Sequence, residues 1–565
     1  MMKKINLLLV TIILSGFFES SYAQNLVWVQ QINGNGYDIG QTISVDISGN
    51  VYTMGQFDGT IDFDPGPGTV TLATTPGNRD IFITKHSTTG NLIWARQITG
   101  TSVEYGYAIT TDASGNVYLA GSFPGTVDFD PGPLTYTLSS AGVDDIFICK
   151  LDAAGNFQWV KQIGDTGPDR ARAIALDGIG NVCVTGSFWA TVDFDPGPSA
   201  LNLTSAGNAD AFICKLDPSG NLLLAKNFGG TTLDDAFAIA IDGSENIYIS
   251  GYFNGTTDLD PGTTVFSVPA IGGYDVFVIK LDPSSNFIWG SQLAGANDDY
   301  CYGIALDGIG NVYTTGRFSG TADFDPGSSS FNMTSAGNED IFISKLSTSG
   351  NFIWAKRFGS TSGDRGYAIS VDAIGYCYTT GFFDGIVDFD PGTGTFNITC
   401  AGFNDTFVSC LDPSGNFVSA VSFAGNNGDG GNAIAVDAAG NIYTTGLFQG
   451  TTDFDPGPGI LNFTTPVTGI SDGFIHKMSK APTNIHNIQY TNNDIIYPNP
   501  VSALLNVTVG NKSFIFIIKD QLGKTILEKS MNGTESLDVS GLSSGLYFYT
   551  ILSGEVIYNG KLIKD

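Results

Sequence analysis

Pairs of aspartates separated by one residue recur along the chain, and their type and spacing suggest metal chemistry. The first pair lies in the segment GTIDFDPGPG, which begins at Gly59. In an extended backbone, the carboxylates of Asp62 and Asp64 point to one side and Phe63 points to the other. Hard cations such as Ca²⁺ need several oxygen ligands, and Ca²⁺ is abundant outside cells. Ca²⁺ is therefore the one cofactor that the sequence suggests.

A third aspartate follows each pair and precedes the next predicted strand. It would complete a cation site if it folded back onto the pair. The candidate metal ligands, copy by copy, are Asp62, Asp64 and Asp80, then Asp128, Asp130 and Asp145, Asp193, Asp195 and Asp210, Asp258, Asp260 and Asp275, Asp323, Asp325 and Asp340, Asp388, Asp390 and Asp405, and Asp453, Asp455 and Asp472.

The same segment also has a structural interpretation. An Asp ahead of Pro-Gly caps a β-turn, in which Pro fixes φ and Gly takes the left-handed position. Aspartates at four positions per copy account for 28 of the 55 acidic residues. Most of the acidic charge is thus explained by the construction of loops, and both interpretations stay open on the sequence alone.

Other candidates for chemistry are few. Trp189 replaces a small or polar residue beside its loop and is the candidate for an exposed ligand contact. Five other tryptophans share one position on a predicted fourth strand, which favours packing between sheets over sugar stacking. No nucleophile elbow, zinc motif or phosphate loop occurs in a fitting context, so no catalytic residue is assigned. The many carboxylates leave a glycosidase pair as an alternative.

A repeat of about 65 residues dominates the sequence. The first Asp of the pair recurs seven times, once after 66 residues and five times after 65. Each copy contains four strand-like pieces joined as two tight hairpins, with a longer loop between them that carries the Asp pair. We expect an all-β fold, a seven-bladed β-propeller of four-stranded antiparallel blades, with a stacked solenoid as the alternative.

The phase of the repeat predicts how the ring closes. The segment NLVWVQQING at the N-terminus matches the fourth strand of a copy, whereas the seventh copy ends after its third strand. We therefore expect residues 26–32 to complete the seventh blade. The tight turns should lie on one face and the seven long loops on the other, which makes the long-loop face the place for a ligand.

The N-terminal and overall compositions bound the class of protein. Residues 1–23 have a basic start, a short apolar stretch and a small-residue cleavage site, which predicts a secretory signal peptide rather than a membrane anchor. We expect no transmembrane span in the remaining chain. The formal net charge of −30 argues against nucleic acid as a partner. The seven cysteines show no disulfide or metal spacing, although Cys400 and Cys410 could pair within one copy.

The pattern DxxGNxYxxG followed by DxFxxKLDxxGN resembles the bacterial SBBP-type propeller repeat over about residues 24–480. A polar linker follows at 481–493. Residues 494–565 resemble the type A C-terminal sorting domain of the type IX secretion system of Bacteroidota, and their strand pattern fits a small β-sandwich. The matching residues are Tyr497, Pro498, Asn499, Pro500, Gly523, Lys524, Gly545, Tyr547, Gly560 and Lys561.

These resemblances imply export through the periplasm by the type IX machinery, followed by release or attachment to surface lipopolysaccharide. The sorting domain would be an address without chemistry of its own. We expect a secreted or cell-surface propeller that binds, scaffolds or adheres to an extracellular glycan or protein. The alternative is a secreted glycan-active hydrolase that uses the same long-loop face.

Overall fold

The protein is described by a computed structural model that covers residues 24–75, 77–480, 496–497, 500–519, 524–553 and 556–565. The chain divides into two compact units, residues 1–481 and residues 482–565. The predicted signal peptide and linker lie outside the described residues. Across the part that is described, no helix is long and apolar enough to cross a membrane.

Each repeat of the first unit contributes four main strands that pair antiparallel in the order first, second, third and fourth, and short hairpin strands join some of these into sheets of six or ten strands. The first strands are Ile39–Val45, Tyr105–Thr111, Arg170–Leu176, Asp234–Ile241, Tyr300–Leu306, Arg365–Val371 and Gly430–Val436. The second strands are Val51–Phe57, Val117–Phe123, Val182–Asp193, Ile247–Asp258, Val312–Phe318, Cys377–Phe383 and Ile442–Gln449.

The third strands begin within or just after the long loops. They are Asp80–His86, Asp145–Leu151, Asn202–Leu216, Ser267–Leu281, Asp340–Leu346, Asp405–Leu411 and Ser471–Met478. The fourth strands are Leu92–Gly100, Phe157–Ile163, Leu222–Gly230, Phe287–Gly295, Phe352–Phe358 and Phe417–Gly425, and Leu26–Ile32 for repeat 7.

The N-terminal strand completes the sheet of repeat 7, as the repeat phase predicts. Leu26–Ile32 pairs antiparallel with Ser471–Met478, with Val29 opposite His476. The first strand of each repeat contacts the first strand of the next, and that of repeat 7 contacts that of repeat 1. Strands that lie about 440 residues apart in the sequence thus belong to one sheet.

Each hairpin between the first and second strands is built by the predicted Asp and Gly-Asn turn. Asp46 Oδ1 accepts the backbone N–H groups of Ser48 and Asn50, both at 2.9 Å. Gly49 has a φ of 79°, a left-handed conformation that favours glycine. The same aspartate bonds recur at Asp112, Asp177, Asp242, Asp307, Asp372 and Asp437. Two turns depart from the pattern: Glu245 takes the left-handed position in repeat 4, and Tyr376 replaces the asparagine in repeat 6.

The long loops form a short hairpin. Its strands are Thr60–Asp62 with Thr71–Ala73, Thr126–Asp128 with Thr137–Ser139, Thr321–Asp323 with Asn332–Thr334, Ile386–Asp388 with Asn397–Thr399, and Thr451–Asp453 with Asn462–Thr464. In repeats 3 and 4 this hairpin continues the longer second and third strands.

The shared tryptophans join neighbouring repeats, which confirms the packing prediction. Trp94 lies 6.2 Å from the buried ring of Tyr52 in its own sheet. Its indole N–H donates to the carbonyl of Ala153 in repeat 2 at 3.2 Å. The same bond across a repeat boundary is made by Trp28, Trp159, Trp289 and Trp354.

The second unit contains five strands in one antiparallel sheet. They are Ile496–Tyr497, Leu504–Lys519, Thr525–Asp538, Gly545–Ser553 and Val556–Lys564. Phe516, Ile518 and Ile551 are among the side chains of its core. The sandwich arrangement of this unit stays a prediction.

Candidate functional site

The Asp pair of each long loop caps backbone N–H groups. Asp62 Oδ1 accepts the N–H groups of Asp64 at 3.1 Å and Val70 at 2.8 Å, and Asp64 Oδ1 accepts that of Gly66 at 2.8 Å. Phe63 between them is buried 5.1 Å from the ring of Phe82. The bonds from the first aspartate recur at Asp128, Asp193, Asp258, Asp323, Asp388 and Asp453. Those from the second recur at Asp130, Asp195, Asp260, Asp325, Asp390 and Asp455. The aspartates thus cap the loop as the structural interpretation predicts. The predicted left-handed glycine is wrong, because Gly66 and its equivalents in the other repeats do not have a positive φ.

The third aspartate of each copy takes a different place. Asp80 is fully buried at the start of a third strand, and its Oδ2 accepts a hydrogen bond from Gln97 on the fourth strand at 2.6 Å. Within the described residues, no three His, Cys, Asp or Glu side chains are grouped so that they could hold a metal ion. The fold-back of Asp80 and its equivalents onto the pairs is therefore not seen. The equivalents are Asp145, Asp210, Asp275, Asp340, Asp405 and Asp472.

Each third aspartate instead neighbours a second buried acid, which lies at the start of the first strand of the following repeat or directly before it. Glu104 is fully buried, its N–H lies 3.4 Å from the carbonyl of Arg79, and Asp80 follows Arg79. Burial, aided by the charge of Asp80, raises the pKa of Glu104 to about 8. The equivalent acids are Asp38, Asp169, Asp234, Asp299, Asp364 and Asp429, and burial raises the pKa of each.

A second set of positions lies at the same ends of the sheets, and we call these the rim positions. Each repeat has four rim positions. Two lie on the first strand, at the β-bulge and two residues before it. The third is the second-strand partner of the residue two before the bulge, and the fourth is the residue before the third aspartate. From repeat 1 to repeat 7 they are Gln41, Ile39, Gln56 and Arg79; Tyr107, Tyr105, Ser122 and Asp144; Arg172, Arg170, Ser187 and Ala209; Phe237, Asp235, Tyr252 and Tyr274; Tyr302, Tyr300, Arg317 and Glu339; Tyr367, Arg365, Phe382 and Asn404; and Asn432, Gly430, Leu447 and Ser471.

The rim positions differ between repeats where the surrounding positions do not. The second strands carry one glycine and one phenylalanine that are the same in all seven repeats, as in Gly316 and Phe318. A Cβ on Gly316 would lie 1.8 Å from the carbonyl oxygen of Tyr300, so only glycine fits there. Positions whose packing is the same in every repeat thus carry the same residue type in every repeat. Five of the seven arginines of the chain occupy rim positions, namely Arg79, Arg170, Arg172, Arg317 and Arg365.

Aromatic and arginine side chains at the bulges form a continuous series of contacts. The Arg172 guanidinium lies 5.0 Å from the ring centre of Tyr107 and 4.6 Å from that of Phe237. The Phe237 and Tyr302 rings are 5.5 Å apart, as are those of Tyr302 and Tyr367. The series therefore runs across repeats 2 to 6. Because bulges re-aim side chains, they account for this convergence of residues from five sheets.

A second aromatic group joins this series in repeats 4 and 5. The Tyr252 ring lies 4.7 Å from that of Tyr300 and 5.4 Å from that of Tyr274. The Arg317 guanidinium covers the Tyr300 ring at 4.2 Å, and its Nε donates to the hydroxyl of Tyr302 at 2.9 Å. Burial, with the charge of nearby Asp298 adding to it, raises the pKa of Tyr300 to about 12. These rings are half-buried, so they offer part of their surface to a ligand.

Four of the five rim arginines are paired with rim carboxylates, and the fifth, Arg79, lies over the ring of Tyr37. Arg170 Nη2 lies 3.2 Å from Asp144, and Arg172 Nη2 lies 3.0 Å from Asp235. Glu339 takes both Arg317 and Arg365, the latter at 2.5 Å. The site therefore offers positively charged hydrogen-bond donors and negatively charged acceptors, which together suit the binding of polar ligands.

Trp189, the aromatic residue that the sequence singled out, lies at this end of the sheets. Its backbone N–H donates to Asp169 Oδ1 at 3.1 Å, and its side chain is half-buried. In repeat 5 the equivalent residue is Ser319, which lines an open cavity described below. Its role as a ligand contact stays a prediction.

A cavity of about 430 Å³ lies at the opposite, tight-turn end. It is lined by residues 241–244, 306–310 and 371–373, which are the ends of three first strands and their turns. The turn aspartates there already accept N–H bonds within their own loops. At the tight-turn end the same turn aspartate therefore recurs from repeat to repeat, whereas the residues at the rim positions differ between repeats.

Sequence reasoning missed the rim because it treated the repeats as nearly uniform. The signal was present in a register-by-register comparison of the seven copies, in which the start of the first strand alternates among Tyr, Arg, Phe, Gln and Asn. The bulge that directs these residues together follows from the structure alone. All seven cysteines are free thiols, so Cys400 and Cys410 are not paired.

Comparison with protein families matches both parts of the chain. Residues 27–59, 93–122 and 288–320 match the β-propeller repeat named SBBP, and residues 495–565 match the secretion system C-terminal sorting domain. The chain contains β-propeller repeats and, after them, a secretion sorting domain. It is therefore a secreted or cell-surface protein that interacts with the secretion machinery, as the motifs predict.

Two curated relatives extend over much more than this chain. The match to an uncharacterized WD repeat-containing protein, L264, of Acanthamoeba polyphaga mimivirus is 26% identical over 529 residues and covers 76% of this chain and 36% of the relative. The match to regulatory protein FlaEY of Caulobacter vibrioides is 24% identical and covers 32% of this chain and 19% of the relative. The chain spans about a third and a fifth of their lengths.

Two solved structures are similar at low identity. One is described as the extracellular domain of a two component system from B. thetaiotaomicron, with 12% identity, coverage of 94% of this chain and 87% of that chain, and a TM-score of 0.17. The other is the gluconolactonase XC5397 from Xanthomonas campestris, with 12% identity, coverage of 65% and 94%, and a TM-score of 0.27.

The sorting residues are distributed over the C-terminal unit. Tyr497 ends the strand Ile496–Tyr497, Gly545 and Tyr547 lie on Gly545–Ser553, and Gly560 and Lys561 lie on Val556–Lys564. The Tyr547 hydroxyl donates to the carbonyl of Ser543 at 3.0 Å. Pro500 and Lys524 are described, whereas Pro498, Asn499 and Gly523 lie outside the described residues.

Proposed function

We propose that this protein is a secreted binding protein whose seven repeats are the blades of one closed β-propeller. The type IX machinery exports it by means of the C-terminal domain. The ligand binds at the rim positions, on the side of the sheets where the long loops emerge. Binding, scaffolding or adhesion at the cell surface is its role.

The observation that carries this proposal is the convergence of variable chemistry on one place. Seven copies of one repeat supply seven equivalent environments, and the core residues accordingly stay the same. At the rim, tyrosine, phenylalanine and arginine replace one another and contact each other across repeats 2 to 6. Tyrosine and arginine are also the residues that contribute most to binding energy at recognition surfaces.

Binding can be tested on an array that carries neutral glycans, acidic glycans, mucin and collagen. The full secreted chain is compared with the double variant Tyr302→Ser, Tyr367→Ser, whose rings lie 5.5 Å apart in the rim series. Tyr136→Ser is the matched control, because Tyr136 is 46% exposed and packs on Phe157 away from the rim. Each lost ring contact is worth about 1 kcal/mol, so the double variant should bind at least tenfold more weakly.

The control variant should bind as the unchanged protein does, and both variants should melt within a few degrees of it. If the rim variant keeps full affinity for every probe that the unchanged protein binds, the rim is not the binding site. Release of reducing ends from a bound glycan would instead support the hydrolase alternative.

A further inference from the structure

An open cavity between repeats 4 and 5 adds a polar site to the rim. Its volume is about 470 Å³, and its lining includes Asn297, Asp298, Arg317, Ser319 and Glu339. Resting on the proposed binding function, we infer that this cavity takes one neutral sugar residue of an extracellular glycan. The cavity has room for a single sugar ring and part of its neighbours.

The lining of this cavity is particular to one junction. The residues that precede the buried acid are Asn297 and Asp298 here, whereas they are Thr232 and Leu233 one repeat earlier. In the other five repeats this pair is Gly36 and Tyr37, Ser102 and Val103, Gly167 and Pro168, Ser362 and Gly363, and Asn427 and Gly428. Asp298 is thus the one carboxylate at its position among the seven repeats, and its side chain is exposed.

Polar groups around the cavity are held in place by the surrounding backbone. Asp298 Oδ1 accepts the N–H of Tyr274 at 3.0 Å, and the Ser319 hydroxyl donates to the carbonyl of Asn338 at 2.7 Å. Asn297 Nδ2 donates to the carbonyl of Ser319 at 3.3 Å. Each group keeps further bonding capacity, because a carboxylate accepts about four hydrogen bonds and an amide offers two donors and an acceptor.

The charge pattern favours a neutral ligand. A polyanion would meet Asp298, Glu339 and a chain with a net charge of −30. A polycation would meet Arg317, and the carboxylate of Glu339 is already paired with Arg317 and Arg365. A neutral, hydroxyl-rich ligand uses both kinds of group at once, since each hydroxyl donates one hydrogen bond and accepts others.

Aromatic rings beside the cavity supply the apolar contact that a sugar ring needs. Tyr274 directly follows the lining residue Gly273, and its ring lies 5.3 Å from that of Tyr300. Arg317 already covers the Tyr300 ring. The half-buried Tyr274 ring is therefore the surface against which the C–H face of a sugar would pack, while the lining carboxylates and amide orient its hydroxyls.

Affinity electrophoresis under native conditions tests the inference on the full chain. The gels contain a β-glucan, a mannan or a galactan as neutral probes, polygalacturonate as an acidic probe, or no polysaccharide. Tyr274→Ala and Asp298→Ala remove the apolar surface and the particular carboxylate. Tyr136→Ala is the matched control, because Tyr136 is 46% exposed and packs on Phe157 away from the rim.

We expect at least one neutral gel to retard the unchanged protein and Tyr136→Ala equally. Each cavity variant should bind that polysaccharide at least about tenfold more weakly. Failure of every neutral gel to retard the protein overturns the inference. Two other outcomes overturn the inference but leave the proposed function standing. In one, polygalacturonate is the only polysaccharide that retards the protein. In the other, the array shows binding to a protein probe only, and the double variant Tyr302→Ser, Tyr367→Ser abolishes that binding. Binding to the neutral probe that no rim or cavity variant weakens overturns both.

Discussion

The buried acids between repeats predict a stability that falls as the pH rises through neutrality. Glu104 is fully buried between repeats 1 and 2. Burial and the charge of Asp80 raise its pKa to about 8. Burial likewise raises the pKa of the equivalent acids, to about 8 for Asp38 and Asp429, about 7 for Asp169, Asp234 and Asp299, and about 6 for Asp364.

The sign of the effect follows from proton binding. A carboxyl group whose pKa is higher in the folded than in the unfolded chain holds its proton in the folded state over the interval between the two values. The stability from these acids is therefore fully present below about pH 4, and it is lost as the pH rises through 6 to 8. Each such group contributes a slope of about 1.4 kcal/mol per pH unit.

Glu104→Gln removes one of these groups with little change in shape. The amide has no charge at any pH, so it avoids the cost of ionising a buried group. Between pH 5 and 7.5 the unfolding free energy of the variant should fall less steeply, by about 1.4 kcal/mol per pH unit. At pH 7.5, three units above the usual pKa of Glu, the relief reaches at most about 4 kcal/mol.

Urea unfolding followed by tryptophan fluorescence at pH 5, 6, 7 and 8 measures both slopes. Asp384→Asn is the control, because Asp384 is a half-buried acid on the same side of the sheets whose backbone, not its carboxylate, bonds to Asp364. It should keep the slope of the unchanged protein. A stability that stays level or rises from pH 5 to 8, or a Glu104→Gln curve parallel to that of the unchanged protein, would refute the reasoning.

Three further predictions concern the loops, calcium and the ring. Asp62→Ala leaves two N–H groups of one long loop without their acceptor, so the unfolding free energy should drop by about 1–3 kcal/mol; an unchanged urea midpoint would contradict the turn assignment. Because Oδ1 of both Asp62 and Asp64 accepts loop N–H groups and Asp80 bonds to Gln97 instead of joining them, the melting temperature in excess Ca²⁺ and in chelator should agree within about 2 °C; a rise of several degrees with Ca²⁺ would restore the metal hypothesis. Deleting residues 24–32 removes the seven-residue, partly buried strand that completes the sheet of repeat 7, so the melting temperature should fall by more than about 10 °C; an unchanged melt would contradict closure through this strand.

Much of the fold could be predicted from the sequence because the repeat encodes it locally. The turn aspartates, the left-handed glycines and the alternation of apolar residues act within a few residues of each other. The pairing of Leu26–Ile32 with the last repeat followed from counting strands, since an unpaired fourth strand and an incomplete sheet require each other.

The candidate site was harder to predict because it depends on contacts between repeats. The Asp pairs look like metal ligands in the sequence, yet their oxygens bind the backbone of their own loop. The third aspartate, as in Asp80, turns out to neighbour an acid 24 residues further along, which the packing of repeat 1 against repeat 2 brings near. The rim likewise depends on a bulge that directs residues such as Arg172 and Tyr302 towards each other from different sheets.

Hydrogen–deuterium exchange of the full chain, with and without the neutral polysaccharide that retards it, tests the central claim most directly. The account predicts slower exchange in peptides that cover 273–275, 296–302 and 317–319, at the rim between repeats 4 and 5. Peptides at the tight-turn end, which cover 241–244 and 306–310, should exchange at unchanged rates. Protection confined to the tight-turn end would contradict the claim that the ligand binds at the rim.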